Sequence, residues 1–130
     1  AYIDLAAGII QNANAGHFPL LLYRRSENRI LSLKGKGRII GMAPAADFEL
    51  AETAIQPGDR IILYTDCIIE CRNLTGQLFG EEQFGKIIRE GAGMNAAEFA
   101  QSVPGRLAQW AGNRGLFDDD LTLVVIDVLQ

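Results

Sequence analysis

Histidine, cysteine, basic charge and long apolar runs are all scarce in this 130-residue chain, and each scarcity removes a class of function. One His and two Cys are too few for a closed structural zinc site, which takes four ligands. Cys67 and Cys71 stand four apart with no second Cys or His pair to complete such a site, and two thiols fit a reducing, cytoplasmic compartment better than a disulfide framework. His17 has no Ser and Asp partners at a recognisable spacing, so a hydrolase triad has little support. No apolar run approaches the roughly 20 residues of a membrane helix, because Arg, Gly or Asp interrupts the longest ones, and membrane contact is not expected. Twelve basic residues against 16 acidic ones give a net charge of -4, which offers no broad attraction for nucleic acid. The opening Ala1-Tyr2-Ile3-Asp4-Leu5 has neither an initiator Met nor the regions of a signal peptide, and reads as a cut inside a longer protein.

What is present suits one compact domain: 48% hydrophobic and 22% charged residues. Short strands are expected over Tyr2 to Ala6, Ile9 to Ala13, Leu20 to Arg24, Ile30 to Leu33, Phe48 to Ile55 and Arg60 to Tyr64. They are separated by turn chemistry at Ala7-Gly8, Ala15-Gly16-His17, Ser26-Glu27-Asn28, Gly35-Lys36-Gly37 and Gln56-Pro57-Gly58-Asp59. That spacing predicts an antiparallel meander, with Gly35-Lys36-Gly37 as a hairpin turn. A polar loop over Arg72 to Gln77 precedes a short helix from Glu81 to Glu90. A second helix starts at a capping-box-like Asn95 and Glu98, continues through Trp110 and stops at Gly112, with Pro104 expected to kink or break it near Val103. The β-branched run Leu121 to Leu129 predicts a strand in the interior of a sheet. Strands first, helices next and a final strand imply an α+β sandwich.

Two acidic segments carry the chemistry. Leu63-Tyr64-Thr65-Asp66 delivers a carboxylate to the end of an apolar strand, and Asp118-Asp119-Asp120-Leu121-Thr122 supplies others far downstream. Mg²⁺ and Mn²⁺ take oxygen ligands and commonly use only one or two carboxylates per ion, so two such segments suit one metal centre. Each also has a plainer explanation: Asp66 can close an Asx-turn, and the acidic triplet can be an exposed turn whose mutual repulsion water screens. His17 can be a general acid or a phosphate contact, or simply cap its turn.

Asn14-Ala15-Gly16-His17, Leu20-Leu21-Leu22-Tyr23-Arg24, Pro57-Gly58-Asp59, Leu63-Tyr64-Thr65-Asp66, Glu70, Phe79-Gly80 and Asp119-Asp120-Leu121-Thr122 occur in one order. Together they resemble the C-terminal half to two-thirds of the stage II sporulation protein E type serine phosphatases, in the metal-dependent protein phosphatase 2C superfamily. The resemblance runs over essentially the whole chain and lies in the ordered set. It implies an α-β-β-α sandwich with a pair of Mn²⁺ or Mg²⁺ ions at one end of two sheets. Asp66 matches the metal-binding Asp of the family's Thr-Asp-Gly motif and Asp119 the first Asp of Asp-Asp-x-Thr. Asp120 and His17 are implied as further metal or phosphate contacts. The family's metals activate a water that attacks phosphoserine or phosphothreonine, and its usual substrates are phosphorylated anti-anti-sigma factors. The implied role is partner switching in bacterial transcription.

Two departures qualify what the resemblance implies. The family's N-terminal Asp-Gly metal segment has no counterpart, since Asp4 is not in that context, so the chain reads as an N-terminally truncated domain of weak or no activity alone, with an exposed edge at which a second copy could pair. Cys67 replaces the Gly of Thr-Asp-Gly; a positive φ there would cost about 1 kcal/mol or more, whereas an extended backbone would accept Cys. Two rivals therefore accompany the enzyme: a pseudophosphatase that docks a signalling partner without catalysis, and a purely structural α+β domain with surface acids.

Overall fold

The computed structural model describes residues 1–35, 37, 39–42, 47–112 and 120–129. It divides into two compact units, Ala1–Ile61 with the chain end from Val128, and Ile62–Asp127.

The first unit contains β1 (Tyr2–Asp4), β2 (Ile9–Asn12), β3 (Leu20–Arg24), β4 (Arg29–Leu33), β5 (Ala51–Ala54) and the start of β6 (Arg60–Tyr64). β1 ends earlier than its sequence suggests because the Asp4 carboxylate accepts the Ala7 N–H at 2.9 Å and starts a turn. β2 runs antiparallel to β1, with Tyr2 opposite Gln11, and antiparallel to β5, with Ile9 opposite Ala54, in the sheet order β1-β2-β5. β3 and β4 form an antiparallel hairpin, Leu22 opposite Leu31, closed by a 3-10 turn at Arg25–Glu27 and by Asn28 at φ 49°. The order of their sheet is β4-β3-β6-β7, and the boundary between the units falls inside β6.

The expected meander is therefore wrong: β2 takes β5 as its second neighbour, and β3 opens another sheet. The reason is the crossing at Asn14. Its side chain accepts the N–H groups of Gly16 and His17 at 2.9 and 2.8 Å and donates to the His17 carbonyl at 2.7 Å, an Asx-type turn that leads the chain away from β2. Gly35-Lys36-Gly37 is likewise no hairpin turn, since β4 and β5 lie in different sheets; Lys36 itself is outside the described residues. A Cβ on Gly37 would collide with the Asn14 carbonyl, so a close backbone approach explains the glycine. Asn12, 7% exposed, donates its side-chain amide to the Leu33 carbonyl at 2.9 Å and joins β2 to β4. Ile10, Leu22 and Tyr23 are buried in this unit.

The second unit holds the rest of β6, then α1 (Cys67–Glu70), α2 (Gly80–Glu90), α3 (Ala96–Trp110) and β7 (Leu123–Asp127). Ile62, Ile68, Phe84, Ile88, Phe99, Val103 and Leu107 are among its most buried apolar side chains. Tyr64 meets Phe84 edge to face at 4.9 Å, and Phe79 meets Trp110 at 5.5 Å. The α3 cap is the expected capping box: Glu98 N–H to the Asn95 side chain and Asn95 N–H to the Glu98 carboxylate, both 2.9 Å. Gly112 follows the helix at φ 73°. Pro104 does not break α3, which is continuous through it. The helix retains its capping box and the buried anchors Phe99, Val103 and Leu107, which offset the hydrogen bond that proline removes. β7 also differs from expectation. Among the described residues it is the last strand of its sheet, and Val124 and Ile126 are 45% and 38% exposed, because successive side chains of a strand point to opposite faces and theirs is the less covered one.

Candidate functional site

β6 is apolar and buried over Ile61, Ile62 and Tyr64, and Thr65 follows its last residue. Asp66 then starts α1: its backbone is helical at φ -54° and ψ -33°, and its Oδ1 accepts the N–H of Cys67 at 3.0 Å. The strand therefore hands its terminal carboxylate to a single helical turn, an element the sequence did not signal because four residues carry no helical periodicity. Asp66 is half-buried, while Glu70 at the far end of the turn is exposed.

Cys67 sits inside that turn. Asn28 is the only non-glycine residue with positive φ among those described, so Cys67 needs no glycine-like backbone. The conformation is helical, neither the strained one nor the extended one considered from sequence. The side chain is buried and forms no disulfide.

The downstream acidic segment meets the end of β6 through Thr65. The Thr65 N–H donates to the Thr122 carbonyl at 3.1 Å, the Thr65 hydroxyl donates to the Asp120 carbonyl at 3.1 Å, and the Thr122 N–H donates to the Thr65 hydroxyl oxygen at 3.0 Å. The residue next to Asp66 and the backbone of Asp120 are thus in direct contact. Asp120 is exposed; Asp118 and Asp119 lie outside the described residues. Among the described residues, no three His, Cys, Asp or Glu side chains gather as a metal site.

His17 belongs to the first unit, is exposed, and meets Phe18 edge to face at 6.5 Å. It does not cap its turn; Asn14 does.

A buried ion pair escaped the sequence reading. Asp59, 1% exposed, takes Arg24 Nη2 at 3.2 Å and Nε at 3.4 Å and also accepts the Gln56 N–H at 3.1 Å; Arg24 Nη2 reaches the Ala54 carbonyl at 2.7 Å. The Pro57-Gly58-Asp59 turn was the available signal, since an Asp that closes a turn beside an apolar strand needs a partner when buried. Burial, and secondarily the charge of Glu81, push the Tyr64 phenol up to about 12.

Solved structures share this architecture. The SiaA-PP2C domain of Pseudomonas aeruginosa superposes with a TM-score of 0.73 at 26% identity, covering 86% of this chain and 44% of that one. The phosphatase domain of the cell fate determinant SpoIIE from Bacillus subtilis, presoaked with Mn, gives a TM-score of 0.69 at 18% identity over 98% of this chain and 54% of that one. The fold is thus of the mixed α/β, protein phosphatase 2C-like class. Residues 1–129 match the family described as Stage II sporulation protein E (SpoIIE), and the chain belongs to that family. The phosphoserine phosphatase RsbU of Bacillus subtilis is 29% identical over 114 residues, which are 88% of this chain and 33% of that protein. The chain therefore spans about a third of the RsbU it matches and about half of the solved domains.

Proposed function

We propose that this chain is the C-terminal part of a Mn²⁺- or Mg²⁺-dependent protein serine/threonine phosphatase domain, an α-β-β-α sandwich acting in the bacterial cytoplasm on a phosphorylated anti-anti-sigma factor or a similar phosphoprotein. The observation that carries the reading is the hydrogen-bonded tie from Thr65, beside Asp66, to Asp120 and Thr122, which joins the chain's two acidic segments. Membership of the SpoIIE family, similarity to RsbU and the Mn presoak of a related domain support it.

The residues fit a hard divalent cation. The segments joined at Thr65 offer carboxylate and carbonyl oxygen, with no imidazole and only the buried thiol of Cys67 nearby in sequence. In the proposed centre Asp66 and Asp119 hold the ions, and Asp120 is a further metal or phosphate contact. When bound, the ions would supply acidity toward water and charge stabilisation at phosphoryl oxygens. Asp66 is suited to its part because the Cys67 N–H fixes its Oδ1, which limits the rotamers the carboxylate must give up on binding.

The pseudophosphatase alternative drew on Cys67 in the glycine position. Cys67 is unstrained and helical, so nothing in the backbone there favours lost catalysis. The deciding experiment is Mn²⁺-dependent phosphate release from a phosphoserine anti-anti-sigma protein by the full-length protein. Turnover that disappears in Asp66→Ala supports the enzyme. Saturable binding of the phosphoprotein without turnover would select the binding module. The 130 residues alone should turn over weakly or not at all.

A further inference from the structure

Three hydrogen bonds join Thr65 to residues 120–122, and they differ in what they ask of the side chain. The bond from the Thr65 N–H to the Thr122 carbonyl is available to any residue except proline. The other two need one oxygen that donates to the Asp120 carbonyl and accepts from the Thr122 N–H, which is the capacity of a hydroxyl. Val has the same shape and neither function; Ser keeps both.

Asp66 follows Thr65 in the chain, and Asp119 precedes Asp120. From this juxtaposition we propose that Thr65 is a positioning residue for a divalent-cation centre, its hydroxyl holding the Asp120–Thr122 backbone against the strand end that precedes Asp66. The inference rests on the phosphatase reading above and adds to it a residue that touches neither metal nor substrate. The physical case is preorganisation. A clamp that acts through the main chain holds the Asp120 and Thr122 backbone before an ion arrives, so less ordering remains to be done on binding. Groups that orient metal ligands in this way commonly change metal affinity by about 10–100-fold.

The test compares wild type, Thr65→Val and Thr65→Ser in the full-length protein, by calorimetric Mn²⁺ titration and by hydrogen exchange of the Thr122 amide without metal. Thr65→Val should weaken Mn²⁺ binding by about 10-fold or more, and Thr65→Ser should restore it. The Thr122 amide should exchange faster in Thr65→Val and regain protection in Thr65→Ser. Should Thr65→Val not fold, Thr65→Ala removes the same hydroxyl and is read in the same way. Wild-type Mn²⁺ affinity in a folded variant without the hydroxyl would overturn the positioning role and leave the phosphatase reading standing. Failure of wild type itself to bind Mn²⁺, with Thr122 protection still following the hydroxyl, would overturn the phosphatase centre and the positioning role together.

Discussion

Asp59 is buried against Arg24, whose guanidinium is its charged partner, and that dependence is measurable. Removing one member of a buried pair leaves the other charge without compensation, at a cost of about 3–5 kcal/mol. Arg24 keeps 18% of its side chain in contact with solvent, so Asp59→Ala should lie near the lower end, about 3 kcal/mol by urea unfolding. A loss below about 1 kcal/mol would mean that the pair behaves as a surface one. Tyr64 gives a second prediction. Its folded-state pKa of about 12 exceeds the ordinary value of 10.0, so the folded protein holds the phenolic proton that the unfolded chain releases first. The stabilisation is complete below pH 10 and is lost as pH rises through 12; Tyr64→Phe should remove that part of the alkaline decline, as followed by thermal melts across the range. Residue types at this scale were legible where local chemistry decides. Asp66 was rightly placed just past the end of its strand, but its Oδ1 takes the N–H of the next residue and not the one two residues on that an Asx-turn uses. The turn cap at His17 was assigned to the wrong residue, because Asn14 competes for the same N–H groups with a shorter, better directed side chain.

Among the elements, α3 was the most readable, since its capping box and apolar spacing are local signals. Asn95→Ala should cost about 1 kcal/mol in chemical unfolding, the usual value of an N-cap side chain. Pro104 offers the opposite sign. An interior proline costs a helix about 3 kcal/mol, against about 1 kcal/mol gained by stiffening the unfolded chain, so Pro104→Ala should stabilise by about 2 kcal/mol. An unchanged or lower melting temperature would mean that α3 has adapted to the proline. Strand pairing was less legible. β2 and β5 are joined across 38 intervening residues, and no local pattern encodes that choice over the nearer β3. The apolar run of β7 was read as interior because a continuous β-branched stretch does not reveal which neighbours a strand has.

For the whole molecule, family membership was legible because ordered motifs survive where pairwise identity is only 18–29% in the relatives described. The site was legible in part: sequence named both acidic segments, but only the folded chain shows that Thr65 joins one to the other. The proposed function requires that these segments belong to one divalent-cation centre. The most direct test is a calorimetric titration of Mn²⁺ into the full-length protein beside its Asp66→Ala and Asp119→Ala variants, with folding checked by circular dichroism. Binding should be saturable in wild type and weaker by at least about 100-fold in each variant, the consequence of removing a ligand from a site that has few. Two folded variants that bind Mn²⁺ as wild type does would contradict the shared centre.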